Sequence, residues 1–165
     1  MSAPQFGHLA KFNPKANAVD FYPAIPPQLR SAPTVEEPEG ELIVPTISLR
    51  NAGQANKPYF NAVSKQNAKS GQARRLAQGR IDAETVDRNR RQDRLLFPRH
   101  VIVGWSGIYD EKGLEVEYSL ENCAAFLNAL PDWMMDELRN FAAVPSNFLD
   151  DDEPDDEDIA ETAKN

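Results

Sequence analysis

Residues 101–148 read VIVGWSGIYDEKGLEVEYSLENCAAFLNALPDWMMDELRNFAAVPSNF, and this stretch holds both tryptophans, the single cysteine and the adjacent pair Met134 and Met135. Large apolar side chains supply most of the free energy of burial, so the core is expected where they concentrate. The candidate core residues are Trp105, Tyr118, Phe126, Leu127, Trp133, Leu138 and Phe141.

The same stretch carries the clearest local signals. Ile108 and Tyr109 lead into Asp110-Glu111-Lys112-Gly113, a turn with glycine where positive φ is needed. Leu114 to Tyr118 then alternates apolar and charged residues with period two, which predicts a hairpin with one face buried. Ser119 is placed to cap a helix by accepting from the amide of Glu121 or Asn122. Leu120, Cys123, Ala124, Phe126, Leu127 and Leu130 recur at helical spacing. Pro131-Asp132 breaks and restarts the chain, and Trp133, Met134, Leu138 and Phe141 are expected to form the next apolar face. Val144-Pro145 ends that helix, with Phe148 folding back on it. Val101 to Val103 is open to two readings, strand from its three β-branched residues or helix from the run before it.

Upstream, residues 83–97 are charged with a thin apolar stripe, Val86 and then Leu95, Leu96 and Phe97. A solvated helix is expected, capped by Asp82, docking through its C-terminal turn and interrupted at Pro98. Lys57-Pro58 starts an earlier helix with Tyr59, Phe60 and Val63 on one side, and Gly71 and the stop signal at Gly79 limit it. Asn51 to Asn56 reads as a turn. Leu42 to Leu49 is β-branched and suits a strand, which Pro45 confines to a sheet edge or splits at a bulge.

Residues 1–40 contain seven prolines, each of which disfavours a persistent helix. The stretch reads either as a disordered leader or as an extended arm whose interleaved Phe6, Phe12, Phe21 and Tyr22 dock into a groove on a partner. From Asp150 to Asp158 there are eight acids in nine residues, which repel and bury nothing, so a disordered tail is expected. The fold class expected is α+β, mainly helical with a small β-hairpin, an extended N-terminal arm and a disordered acidic C-terminal tail. The organisation expected is an arm over 1–40, one α+β domain over 41–148 with its core at 101–148, and the tail over 149–165.

Net charge is −8, but residues 50–99 carry twelve basic against four acidic residues and residues 100–148 two against eight. The basic middle, with Lys65, Lys69, Arg74, Arg75, Arg80, Arg88, Arg90, Arg91, Arg94 and Arg99, could meet phosphates. Its interleaved acids, the scarcity of exposed aromatics for stacking and the acidic tail all disfavour nucleic acid. One cysteine excludes an internal disulfide, and Cys123 in an apolar pattern suits a small buried residue better than a reactive thiol. The start of the chain has no apolar run like a signal peptide, and no segment reaches the ~18 apolar residues of a membrane span. A soluble, cytoplasmic protein is expected.

No catalytic, cofactor-binding or metal-binding constellation is found. His8 and His100 are far apart, and no CxxC or HxxxH occurs. Glu115 and Glu117 share a strand face, but that face is expected to be solvated. No enzyme activity and no cofactor are therefore expected. Met134 and Met135 suit either a core or an adaptable contact with an apolar partner.

Taken together, the Gly104-Trp105-x-Gly107 step, the Asp110-x-x-Gly113 turn, the Tyr118-Ser119-x-Glu121-Asn122 cap and the closing Pro145-Ser146-Asn147-Phe148 resemble the tail assembly chaperones of long-tailed bacteriophages and prophages. The resemblance runs from Asn56 to Phe148. It implies a small α+β or mainly helical protein that binds the tape measure protein and keeps it soluble while tail tube subunits assemble. It leaves room for other phage tail proteins as partners, for self-association, and for a structural virion protein of the tail or neck.

Overall fold

The computed structural model describes residues 5–25, 31, 33–69 and 83–149. The fold is α+β and mainly helical, with a three-stranded antiparallel sheet in the order β1-β2-β3. In chain order the elements are a 3-10 turn (Gly7–Phe12), β1 (Val19–Phe21), β2 (Thr46–Leu49), α1 (Lys57–Lys69), α2 (Ala83–His100), β3 (Ile102–Ser106), α3 (Leu120–Ala129), α4 (Asp132–Ala143) and a closing 3-10 turn (Pro145–Phe148). Asp82, Gly71, Gly79 and the acidic run after Leu149 lie outside the described residues.

The sheet departs from expectation in ways that follow from proline chemistry. β2 starts at Thr46, immediately after Pro45, because a residue without an amide hydrogen cannot donate to the ladder. Freed of its proline, the strand is central rather than at an edge. Ile47 and Leu49 point into the core while Thr46 and Ser48 take the other face, the period-two pattern of a strand. A bulge interrupts the pairing of β2 with β3, where Ser48 opposes Gly104 and Leu49 opposes Ile102, so Val103 is skipped.

Part of the expected arm is folded into this sheet. Val19, Asp20 and Phe21 pair with Leu49, Ser48 and Ile47, and the Ser48 hydroxyl donates to Asp20 Oδ1 at 2.8 Å. The Lys15 amide donates to the carbonyl of Phe148 at 2.7 Å, tying the leader to the last turn of the domain. The boundary expected at residue 40 therefore does not separate an arm from a body. The 3-10 turn at Gly7–Phe12 falls in the window between Pro4 and Pro14, where no proline prevents it.

Val101 to Val103 resolves as strand from Ile102 onward. α2 runs through Pro98 to His100, contrary to the expected interruption. Proline in the last turn removes one hydrogen bond to Arg94, and burial of Leu96, Phe97 and Pro98 compensates. The expected hairpin is reduced to a single bridge, Tyr109 opposite Glu115, with the Val116 amide donating to Ile108 at 2.8 Å. Gly113 closes its turn at φ +74°, and Asp110 Oδ1 accepts from the amides of Lys112 and Leu114. Leu114, on the face expected to be buried, is exposed. The Ser119 hydroxyl accepts from the Asn122 amide at 3.0 Å, as the cap motif predicts.

The core joins both halves of the chain. Ile47 and Leu49 from β2, Phe97 from the end of α2, Val101 just after it, Ile102, Ile108, Cys123, Leu127, Met135, Leu138 and Ala142 form one buried cluster. Trp105, Tyr118, Phe126 and Phe141 pack on its margin, partly buried. It therefore extends beyond 101–148. Burial pushes the Cys123 thiol up to about 12, which keeps it protonated and unreactive at neutral pH.

α2 docks along its length rather than only through its last turn, and the contacts are polar because its apolar stripe is thin. Arg90 forks onto Asp136, Nε to Oδ1 at 3.2 Å and Nη2 to Oδ2 at 2.7 Å. Arg94 donates to the carbonyls of Leu127 and Leu130 at the end of α3, each at 3.0 Å, and to Asp132 at 2.9 Å. Arg139 Nε lies 2.8 Å from Asp93 Oδ2, although its N–H is not aimed at that oxygen, which accepts no hydrogen bond. The Tyr59 hydroxyl approaches the other oxygen of Asp93 at 3.4 Å, and burial, followed by that carboxylate, pushes the phenol up.

Two asparagines from the turn after β2 clip these helices together. Asn51 Nδ2 donates to the carbonyl of Ala142 at the end of α4, at 3.0 Å. Asn56 Nδ2 donates to the carbonyl of His100 at the end of α2, at 2.6 Å, while its Oδ1 accepts from the Tyr59 amide and caps α1.

Candidate partner-binding groove

A groove of about 710 Å³ opens where three loops and two helices meet. One wall is Tyr22 to Ile25, following β1, and Leu42 to Pro45, preceding β2. The other is the Gly107 to Gly113 segment after β3, with Phe126 of α3 and Trp133 of α4 completing it. The walls approach closely at Gly107, which sits at φ +68°. A Cβ there would come within 3.0 Å of the Val44 carbonyl oxygen and 3.1 Å of the Ile43 Cγ2. Gly107→Ala is therefore expected to cost about 2 kcal/mol in a denaturant melt, from the strained backbone and the contact together. An unchanged midpoint would show that the 43–45 segment yields freely.

The lining is largely apolar, and several of its large side chains face solvent: Tyr22 is 62% exposed, Val44 52% and Trp133 54%. Among the described residues, the ionisable carboxyls of the lining are Asp110 and Glu111, and no lysine or arginine lines the groove. Beneath it, Trp105 packs edge-on against Tyr118 and Phe126, both at 5.3 Å between ring centres, and its indole N–H donates to the carbonyl of Val116 at 2.7 Å. Tyr118 in turn donates to the carbonyl of Ile102 at 2.9 Å. These aromatics hold the Gly107–Gly113 wall against the sheet.

The two tryptophans thus separate. Trp133, expected in the core, lies at the groove, and Met135, considered as a partner contact, is fully buried. The cause is the rotation of α4. Asp132 and Asp136, four residues apart, turn toward Arg94 and Arg90, which directs Met135, Leu138 and Ala142 inward and Trp133 outward. Met134 is half-buried. Leu127 and Leu138 are buried, while Phe126 and Phe141 are partly so. Of the arm aromatics, Phe6, Phe12 and Tyr22 are exposed. Phe21 packs on Phe141 at 4.9 Å and belongs to the protein's own sheet rather than to a free docking arm. Leu120 is also exposed, on the outer side of α3.

This arrangement predicts unequal effects for the tryptophans. Trp105→Ala should destabilise by about 2 to 3 kcal/mol, less than a fully buried ring because one side remains open. Trp133→Ser should stay within about 0.5 kcal/mol of the parent. Thermal melts with equal losses for both would contradict the separation.

Among the described residues no three of His, Cys, Asp and Glu converge as a metal-binding group. No helix among them is long and apolar enough to cross a membrane. Sequence reasoning missed the groove because its walls come from segments far apart in the chain. The alternation of prolines with Tyr22, Ile25, Leu42 and Val44 was its only local trace.

Fold and groove together define a small α+β protein with an apolar, acid-bordered surface cleft. The model of the YdaY prophage protein family matches residues 54–163, two-thirds of the chain, and the protein belongs to that family. The match begins after β2, so Tyr22 to Ile25 and Leu42 to Pro45 lie outside it. No curated protein and no solved structure matches.

Proposed function

We propose that this prophage protein acts without catalysis, by contact, as a tail assembly chaperone that binds the tape measure protein and keeps it soluble in the host cytoplasm while the tail tube assembles. The observation that carries this reading is the groove, an apolar cleft edged by exposed aromatics, which is the kind of surface that shields an apolar stretch of another chain. Membership of a prophage family supports the setting. The resemblance of Gly104-Trp105-x-Gly107 and the segments after it to tail assembly chaperones supports the role. The basic middle gives less support to nucleic acid, since Arg90 and Arg94 are engaged with carboxylates and helix ends.

Co-expression with the prophage's tape measure protein tests the reading. The expected result is a tape measure protein that is soluble with this chain and aggregates without it. Mass spectrometry of induced particles should find the chain absent or far below tail-protein stoichiometry. Stoichiometric copies in the particle would overturn the proposal in favour of a structural virion component of the tail or neck.

A further inference from the structure

We propose that the groove takes an apolar segment of a partner protein bordered by lysine or arginine, its apolar side chains against Tyr22, Val44 and Trp133 and its cations against Asp110 and Glu111. This deepens the contact-based reading above and rests on it.

The charge of the lining selects the occupant. Among the described residues the lining of this otherwise apolar cleft carries two carboxylates and no cation, and the one lysine of the 107–113 segment, the exposed Lys112, lies outside the lining, so the field within the cleft favours positive flanks and opposes negative ones. That excludes the chain's own acidic run at 150–158, whose eight acids would sit against the same carboxylates. It equally disfavours nucleic acid, whose phosphates would meet Asp110 and Glu111. A second copy docked groove to groove would oppose the two acidic borders, in a chain of net charge −8. What remains is a partner whose apolar residues fill the cleft and whose cations lie at its ends. The Asp110 carboxylate has a fixed position there, because its Oδ1 accepts from two amides of the turn.

The test uses the full chain and two synthetic peptides with one shared apolar centre of leucine, phenylalanine and alanine, ended by lysines in one and by glutamates in the other. Calorimetric titration should show the lysine-ended peptide binding about tenfold more tightly, a gap that narrows with added salt. The pair Asp110→Asn and Glu111→Gln, which keeps the turn's acceptor oxygen, should reduce the gap to about twofold. Trp133→Ser should weaken the lysine-ended peptide about tenfold without lowering the melting temperature.

Equal affinity for the two peptides, or binding untouched by either groove variant, would overturn the proposal. Sedimentation showing a dimer that Trp133→Ser dissolves would also overturn it, since a second copy would then fill the cleft. The outcome is separable from the chaperone reading. Peptide binding at the groove with a tape measure protein that stays insoluble would retain this inference and discard that role.

Discussion

Arg139→Met is expected to destabilise the fold by about 3 to 5 kcal/mol at neutral pH, because it leaves the Asp93 carboxylate buried with no cation beside it. The asymmetry of the pair gives the prediction its sign. Arg139 is 39% exposed and can turn to water if Asp93 is removed, whereas Asp93 has nowhere to go. Asp93→Asn should therefore cost less, about 1 to 2 kcal/mol. Replacing both, with Asp93→Leu and Arg139→Met, should recover most of the loss.

The pH dependence follows from the direction of the Asp93 shift. Burial raises its pKa above the ordinary 3.8, and Arg139 only partly opposes this. A carboxyl raised in the folded state favours folding when protonated. Its contribution is fully present below 3.8 and is lost as pH rises through the raised value. Removing Arg139 raises Asp93 further. The gap between Arg139→Met and the parent should thus be largest at neutral pH and shrink on acidification, once Asp93 is protonated in both. Denaturant melts across pH that show a constant gap would mean Arg139 contributes by packing rather than by charge.

Phe97→Ala should cost a similar amount, about 3 to 5 kcal/mol, and lower the melting temperature by on the order of 10 °C. The ring is fully buried at the end of α2, meets Tyr59 edge-on at 5.8 Å, and packs in the cluster that contains Ile47, Val101 and Leu138. Alanine would leave a void among side chains from the sheet and the helices at once, so little local collapse can fill it. A loss below about 1 kcal/mol would show that α2 does not hold the sheet to the helices.

These two residues mark where the sequence was legible and where it was not. Helix starts and stops that depend on a few neighbouring atoms were readable, as at Ser119, Pro131 and Pro145. So was burial of Leu127 and Leu138, whose spacing admits few alternatives. The rotation of α4 was not. Trp133 and Met135 are both large and apolar, and only the placement of Arg90 and Arg94 on a distant helix decides which faces inward. The strand role of Val19–Phe21 was hidden for a similar reason. Its partner, β2, lies 25 residues further on, and proline content nearby suggested an unattached arm. Asn51 and Asn56 looked like ordinary turn residues because the carbonyls they satisfy belong to helices far along the chain.

The groove combines these long-range effects. Its apolar walls depend on β1 joining the sheet, on Gly107 allowing the 43–45 segment to approach, and on Asp132 and Asp136 turning Trp133 outward. None of the three can be read from a local pattern. All three are geometric facts once the chain is folded. The central claim is that this protein works by contact through that cleft. Hydrogen exchange of the full chain, alone and with the lysine-ended peptide, tests it most directly. The account predicts slowed exchange confined to amides at 22, 24, 25, 42–44 and 107–113, with α2 unchanged. Slowing along the basic face of α2 with none at the cleft would contradict it.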